Sequence, residues 1–270
     1  MTGPPMIHNR HAFAPLRSGV LGASLAAWIT LAVLSWRSAQ GLPDFLCSVT
    51  PVPWLTPGWF ASASLGWLLM IVAMMAPMTL PAIAHIQVSV FAQRRVRAIL
   101  IFLAGFAAIW LIPGLAISAL ARALGALTAS SYGPAALALL IAGIWQCSPW
   151  RQGFLNRCHT HRPLAAFGLR ADMDALRLGL AHGLWCIGTC WAWMLLTAML
   201  PAWHLLLMPL ISVLAFCERL DAPRPPAWQV RGLRVAVRLL QREIAHVRRH
   251  RVGSDAAPDT ERPIQEGALS

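Results

Sequence analysis

Ala181-His182-Gly183-Leu184-Trp185-Cys186-Ile187-Gly188-Thr189-Cys190-Trp191-Ala192-Trp193-Met194 lies inside an apolar run, Leu176 to Leu200, that is long enough to cross a bilayer. That run decides the fold class, because a segment of this length and apolarity is stable in lipid only as a helix or a closed barrel. On a helix His182, Cys186 and Cys190 fall on one face, each one turn from the next. Soft or borderline ligands on one stripe of a buried helix are a metal-site pattern more than a packing pattern.

The rest of the chain agrees. Of 270 residues, 57% are hydrophobic and 12% charged, against about 25% charged in an ordinary soluble domain. The formal charge is +12 and every basic side chain outside histidine is Arg. That excess reads as the positive-inside bias of membrane loops. A nucleic-acid partner would need a folded basic domain, and none is visible. The six Cys stand at 47, 147, 158, 186, 190 and 217; four between 147 and 190 do not resemble a secreted disulfide framework.

Six spans are predicted, at about 18–36, 60–84, 98–120, 133–147, 176–200 and 202–217. Residues 1–17 form a polar, basic lead-in. Ser38-Ala39-Gln40 is a weak cleavage site, so the first span reads as retained. Trp54 and Trp59, in the Gly41–Trp59 loop, suit an interfacial aromatic belt. Pro77 and Pro81 fall in the second half of span two, and Pro77 frees a carbonyl near Ala73, which predicts a kink. A basic loop runs from Trp150 to Asp174, and Pro201 turns span five into span six. Arg10, Arg17, Arg94, Arg95, Arg97, Arg151, Arg157, Arg162 and Arg170 fall on one side with the C-terminal tail, and only Arg37 and Arg122 on the other. This puts both termini in the cytoplasm. Residues 218–252 carry a basic amphipathic surface helix, with Val230, Leu233, Val237, Leu240 and Ile244 at helical spacing, and 253–270 a disordered tail.

Three constellations carry chemistry. Cys186 and Cys190 are close enough in register to share one ion, with His182 a further turn away. Thiolates favour Cu(I) first and zinc second. Met74 and Met78 lie on a second stripe, Met70-Met74-Met78, in span two, and thioethers suit Cu(I). Cys158, His159 and His161 form a chelating triplet in the basic loop. Packing explains each alone: free Cys are often buried and inert, and Met commonly fills cores. Glu218 beside Arg219 reads as an interfacial salt pair, and Asp174 and Arg177 mark the entrance to span five. No Gly-rich phosphate loop, His-Glu-x-x-His or Ser/His/Asp set is present, so no enzymatic activity is expected.

Met74-Met75-Ala76-Pro77-Met78, Trp145-Gln146-Cys147-Ser148-Pro149, Cys158-His159-Thr160-His161-Arg162-Pro163 and Gly179 to Met194 occur in that order. Together they resemble the DUF2182 family of predicted metal-binding bacterial integral membrane proteins, some of them labelled copper chaperones. The resemblance covers roughly residues 60–220. It implies metal binding in the bacterial inner membrane more than transport or catalysis. The family tends to have a double Cys where this chain has Thr189-Cys190, and Cys where it has His161; the first change removes a thiol, the second keeps a ligand.

The expected protein is an all-α polytopic bundle of about six transmembrane helices in the cytoplasmic membrane. It handles a soft ion, copper foremost, through Cys186 and Cys190. His182, Met74 and Met78 complete or relay, and Cys158, His159 and His161 form a cytoplasmic loading or release site. The lipid bilayer and a metal-donating or metal-accepting protein are the partners this implies. A membrane redox subunit, with His182 bound to haem and His85 or His204 facing it, or with Cys186 as thiol donor, is the alternative from another class.

Overall fold

The structure, a computed structural model, describes residues 10–39, 56–127, 132–160, 162–200, 203–220, 222–229, 237 and 241. The regular elements among these residues are all helices: α1 (Arg10–Ala39), α2 (Pro57–Met75), a 3-10 turn (Ala76–Thr79), α3 (Leu80–Ser89), a second 3-10 turn (Ala92–Arg94), α4 (Arg95–Leu127), α5 (Tyr132–Cys147), α6 (Pro149–Cys158), α7 (Gly168–Met199) and α8 (His204–Arg219). Four segments are long and apolar enough to cross a membrane: Pro15–Arg37, Pro57–Ser89, Ala92–Leu127 and Gly168–Met199. α5 and α8, where the fourth and sixth spans were expected, have 16 residues each. The outer surface is apolar, with Leu25, Ile29, Leu100, Ile112, Leu140 and Leu206 all exposed.

The expected second span is not one helix. Pro77 and Pro81 each lack the N–H that an α-helical ladder needs. α2 therefore ends at Met75, and a four-residue 3-10 turn leads into α3. The backbone freed there finds partners elsewhere: Ser24 Oγ donates to Ala73 O at 2.6 Å and Ser212 Oγ to Met74 O at 3.4 Å. Arg219 Nη1 donates to Met78 O at 2.8 Å. Three segments distant in sequence are tied to this break.

α4 and α7 run parallel and form the spine. At one end Arg97 pairs with Asp172 at 2.7 Å, and the contacts then climb both helices together. A Cβ on Gly179 would stand 2.2 Å from the Phe102 carbonyl oxygen, and one on Gly183 2.3 Å from Ile109 Cγ2. Two glycines four residues apart thus let the backbones close to a distance that any larger residue would forbid.

The basic loop expected from Trp150 to Asp174 begins as a helix. Ser148 caps α6, accepting from Arg151 N at 3.2 Å, and Pro149 opens it at a position where its missing N–H costs nothing. The chain thus breaks between α5 and α6 and continues along α7. The surface helix expected over 218–252 does not start where predicted. Residues 222–229 are non-helical, as Pro223, Pro225 and Pro226 require, and Gln229 N donates to Cys147 O at 3.1 Å. The remainder of that helix, apart from 237 and 241, the disordered tail over 253–270, the lead-in 1–9 and the Trp54 and Pro201 loop readings lie outside the described residues.

A candidate metal centre at the Cys186–Cys190 stripe

Cys186 and Cys190 face inward from α7, at 1% and 2% exposure. Their thiols lie one helical turn apart on the same face of α7. Across from them is the break in α2, whose Met75 Sδ lies 3.7 Å from Cys186 Sγ. Met75 is itself fully buried. Met70, Met74, Met78, Met194, Met199 and Met208 belong to the same buried cluster. Two thiols and a thioether therefore meet in a pocket of sulfur and hydrocarbon, at the place where Pro77 interrupts the facing helix. Thr189 Oγ1 is 3.4 Å from Cys190 Sγ, and donates to Cys186 O at 2.8 Å.

The thioether in contact with a thiol is that of Met75. The stripe picked out by four-residue spacing was Met70-Met74-Met78, but the 3-10 turn after Met75 alters the register on which that spacing depends. Met74 and Met78 are buried in the surrounding cluster instead. His182 is buried one turn below Cys186, with the Phe102 and Phe106 rings tilted against it at centroid distances of 5.9 and 6.0 Å. Its Nε2 is 3.2 Å from Arg219 Nη1. A guanidinium only donates, so Nε2 holds the accepting lone pair in this contact. Among the described residues, no three His, Cys, Asp or Glu side chains converge on a point that could hold a metal. The two thiols and a thioether suit a soft ion. They do not supply the four-ligand shell typical of structural zinc.

The loop cluster is only partly described, because His161 lies outside the described residues. Cys158 ends α6 and is buried, with the Arg219 guanidinium facing its thiol. Burial pushes the Cys158 thiol above its ordinary value, and Arg219 opposes that shift. His159 has a buried Nε2 with no hydrogen-bond partner among the described residues. Burial lowers its pKa, with the nearby Arg219 charge acting in the same direction, so the ring is kept neutral and able to bind a metal. Cys158 is within electrostatic reach of Cys190, so the loop cluster and the α7 stripe adjoin.

Beside the thiols lies a buried polar layer that sequence reasoning missed. Glu218 pairs with Arg151, at 3% and 1% side-chain exposure, and not with its neighbour Arg219 as the sequence had suggested. Gln146 Nε2 donates to the other carboxylate oxygen, and Trp193 Nε1 donates to Gln146 Oε1 at 2.8 Å. Arg151 Nε donates to Thr189 O at 3.0 Å, on the turn between the two Cys. Two further contacts dock the break between α5 and α6 on α7. Trp145 Nε1 donates to Gly188 O at 2.9 Å, and the Phe154 ring packs where a Cβ on Gly188 would stand 2.4 Å away. The available signal was Gln146 and Arg151 on either side of Ser148-Pro149: two long polar side chains flanking a break. The pairing at Asp174 and Arg177 is present as expected, at 3.8 Å.

No curated protein and no solved structure matches the chain. A family model described as copper chaperone, PpoB2, matches residues 64–240, which include the α2 break, α4, α6, both thiols of α7 and the end of α8. The chain belongs to this copper chaperone family.

Proposed function

We propose that this chain holds Cu(I) as cargo between Cys186 and Cys190 and passes it to or from a protein partner, without turning over a substrate. The observation that carries the reading is two water-shielded thiols one turn apart with the Met75 thioether 3.7 Å from Cys186. Thiolate and thioether are the donors that suit Cu(I), and membership of the copper chaperone family supports the same ion. Met74, Met78 and His182 line the path behind these ligands, His182 becoming available only as the ion displaces its contact with Arg219. Cys158 and His159, with His161, form the cytoplasmic station that loads or releases it.

The setting is a bacterial cytoplasmic membrane. Four helices of crossing length and an apolar outer surface support insertion. α5 makes the fourth crossing, ending at the Ser148-Pro149 break, and α8 makes the last, which returns both termini to the cytoplasm. Interrupted helices packed against protein at depth are a usual way to build an ion site in a membrane. The haem alternative gains nothing from the histidines. His182 accepts from Arg219, His85 Nε2 contacts Arg162 O at 2.8 Å, and His204 Nδ1 contacts Thr197 O at 3.1 Å.

The test is anaerobic Cu(I) titration of the purified protein in detergent, with bound metal counted by elemental analysis. Wild type is expected to retain copper at this site, and the Cys186→Ser/Cys190→Ser variant to lose it. Equal copper content in both proteins sinks the proposal.

A further inference from the structure

The charges around the thiols do not balance. Two guanidinia, Arg151 and Arg219, lie within electrostatic reach of Cys190. One carboxylate, Glu218, faces them, and it is taken by Arg151 and Gln146. The other ion pairs among the described residues join Arg94 and Arg97 to Asp172 and Arg177 to Asp174, so none of them reaches Arg219. Arg219 Nη1 is spent on Met78 O and His182 Nε2. Its Nη2 is buried and makes no hydrogen bond among the described residues, and Arg151 Nη1 is in the same position. Arg219 reaches this region at His182, one turn from Cys186, and its charge is felt at Cys158, Cys186 and Cys190. Among the described residues the cluster therefore carries one positive charge in excess, with Arg219 Nη2 and Arg151 Nη1 unsatisfied. A buried cation without a counter-ion is costly, which makes the site receptive to one negative charge.

We infer that Arg219 is the built-in counter-charge of the loaded site, selecting a complex of net charge −1. This rests on the reading of Cys186 and Cys190 as ligands. Each thiol releases its proton to the bulk buffer as the ion binds, and two thiolates with Cu(I) carry a net charge of −1. Arg219 then brings the loaded centre to neutrality. Two thiolates with a divalent ion such as Zn(II) are already neutral, and would leave the guanidinium as unbalanced as before. Arg219 thus positions charge, and discriminates monovalent from divalent cargo without touching the ion.

The experiment compares Arg219→Gln and Arg219→Lys with wild type in detergent. Cu(I) affinity is read by competition with a cuprous chelator, and Zn(II) affinity by competition with a zinc indicator. Arg219→Gln is expected to weaken Cu(I) binding by about 30–100-fold, the size of one charge interaction roughly 6–8 Å away at an effective dielectric of about 20. Zn(II) binding should change less than about threefold, on the same electrostatic reasoning. Arg219→Lys keeps the charge without the fork, and should restore most of the Cu(I) affinity. It also serves where the Gln variant does not fold, since a folded Lys protein with the full Cu(I) loss overturns the inference. Equal losses for both ions, or none for Cu(I), overturn it too. If binding also ignores Cys186→Ser/Cys190→Ser, the ligand assignment fails; if it needs both Cys but ignores Arg219→Gln, only the charge assignment fails.

Discussion

Replacing Glu218 by Gln tests the polar layer that holds α5, α6 and α8 around the α7 stripe. Arg151 and Glu218 have side-chain exposures of 1% and 3%, so neither has water to fall back on. Gln is nearly isosteric and keeps one oxygen for Arg151, but it removes the charge that offsets the guanidinium. Removing one partner of a buried pair costs about 3–5 kcal/mol, because the other charge is left uncompensated. In a chain of this size each kcal/mol moves the midpoint by roughly 2–4 °C. The expected fall in Tm is therefore about 6–20 °C, read by tryptophan fluorescence on heating in detergent. The Arg151→Met/Glu218→Leu double variant removes both charges and keeps apolar bulk, so it should recover most of that loss. Circular dichroism at low temperature should show unchanged helix content in both, since the pair joins helices without forming them. A Glu218→Gln protein that melts within about 2 °C of wild type would refute the reasoning, because a desolvated guanidinium cannot lose its counter-charge so cheaply.

Met75→Leu keeps the volume of the side chain at a cost under about 1.5 kcal/mol, but removes the sulfur that faces Cys186. It should fold normally and bind Cu(I) more weakly in chelator competition, whereas Met74→Leu should bind nearly as wild type. Gly179→Leu forces a side chain into the Phe102 carbonyl, and should sharply reduce the yield of folded protein on size exclusion. Gly143→Ala, which meets nothing within 4 Å, should be neutral or slightly stabilising. Ser24→Ala strands the Ala73 carbonyl at the α2 break and should cost about 1–3 kcal/mol in the same melting assay. Alkylation by a polar maleimide at neutral pH, mapped by mass spectrometry, should label the half-exposed Cys147 well before the buried Cys158, Cys186 and Cys190. The raised pKa of Cys158 adds a pH dependence. Above its ordinary value the unfolded thiol ionises while the folded one holds its proton, so this group's contribution to stability declines as pH rises past about 9. His159, lowered in the folded chain, acts at the other end: its contribution is present above its ordinary value and is lost as pH falls below about 6.5.

Local pattern carried a long way in this protein. An apolar run such as Leu176 to Leu200 satisfies its backbone in lipid as a helix, and Pro77 and Ser148-Pro149 favour breaks because they withhold donors or set caps, although Pro113 and Pro209 sit inside unbroken helices. Helical spacing likewise put Cys186 and Cys190 on one face, and the structure turns that face inward. These features depend on neighbours within about a turn, which is the range over which sequence speaks directly. Other features depended on how helices meet. Met78 leaves the stripe's register at the 3-10 turn, but Met74 and Met75 both belong to α2, and only its packing against α7 decides that Met75 is the one facing Cys186. The partner of Glu218 is Arg151, 67 positions away, and not the adjacent Arg219, because neighbours on a helix point in different directions while α6 and α8 converge beside α7. His182 sits on the predicted stripe, yet one of its nitrogens accepts from Arg219 at the end of another helix. Periodicity sets which side chains share a surface; only the packed bundle decides what stands opposite that surface, and at Cys186 what stands opposite is the Met75 thioether.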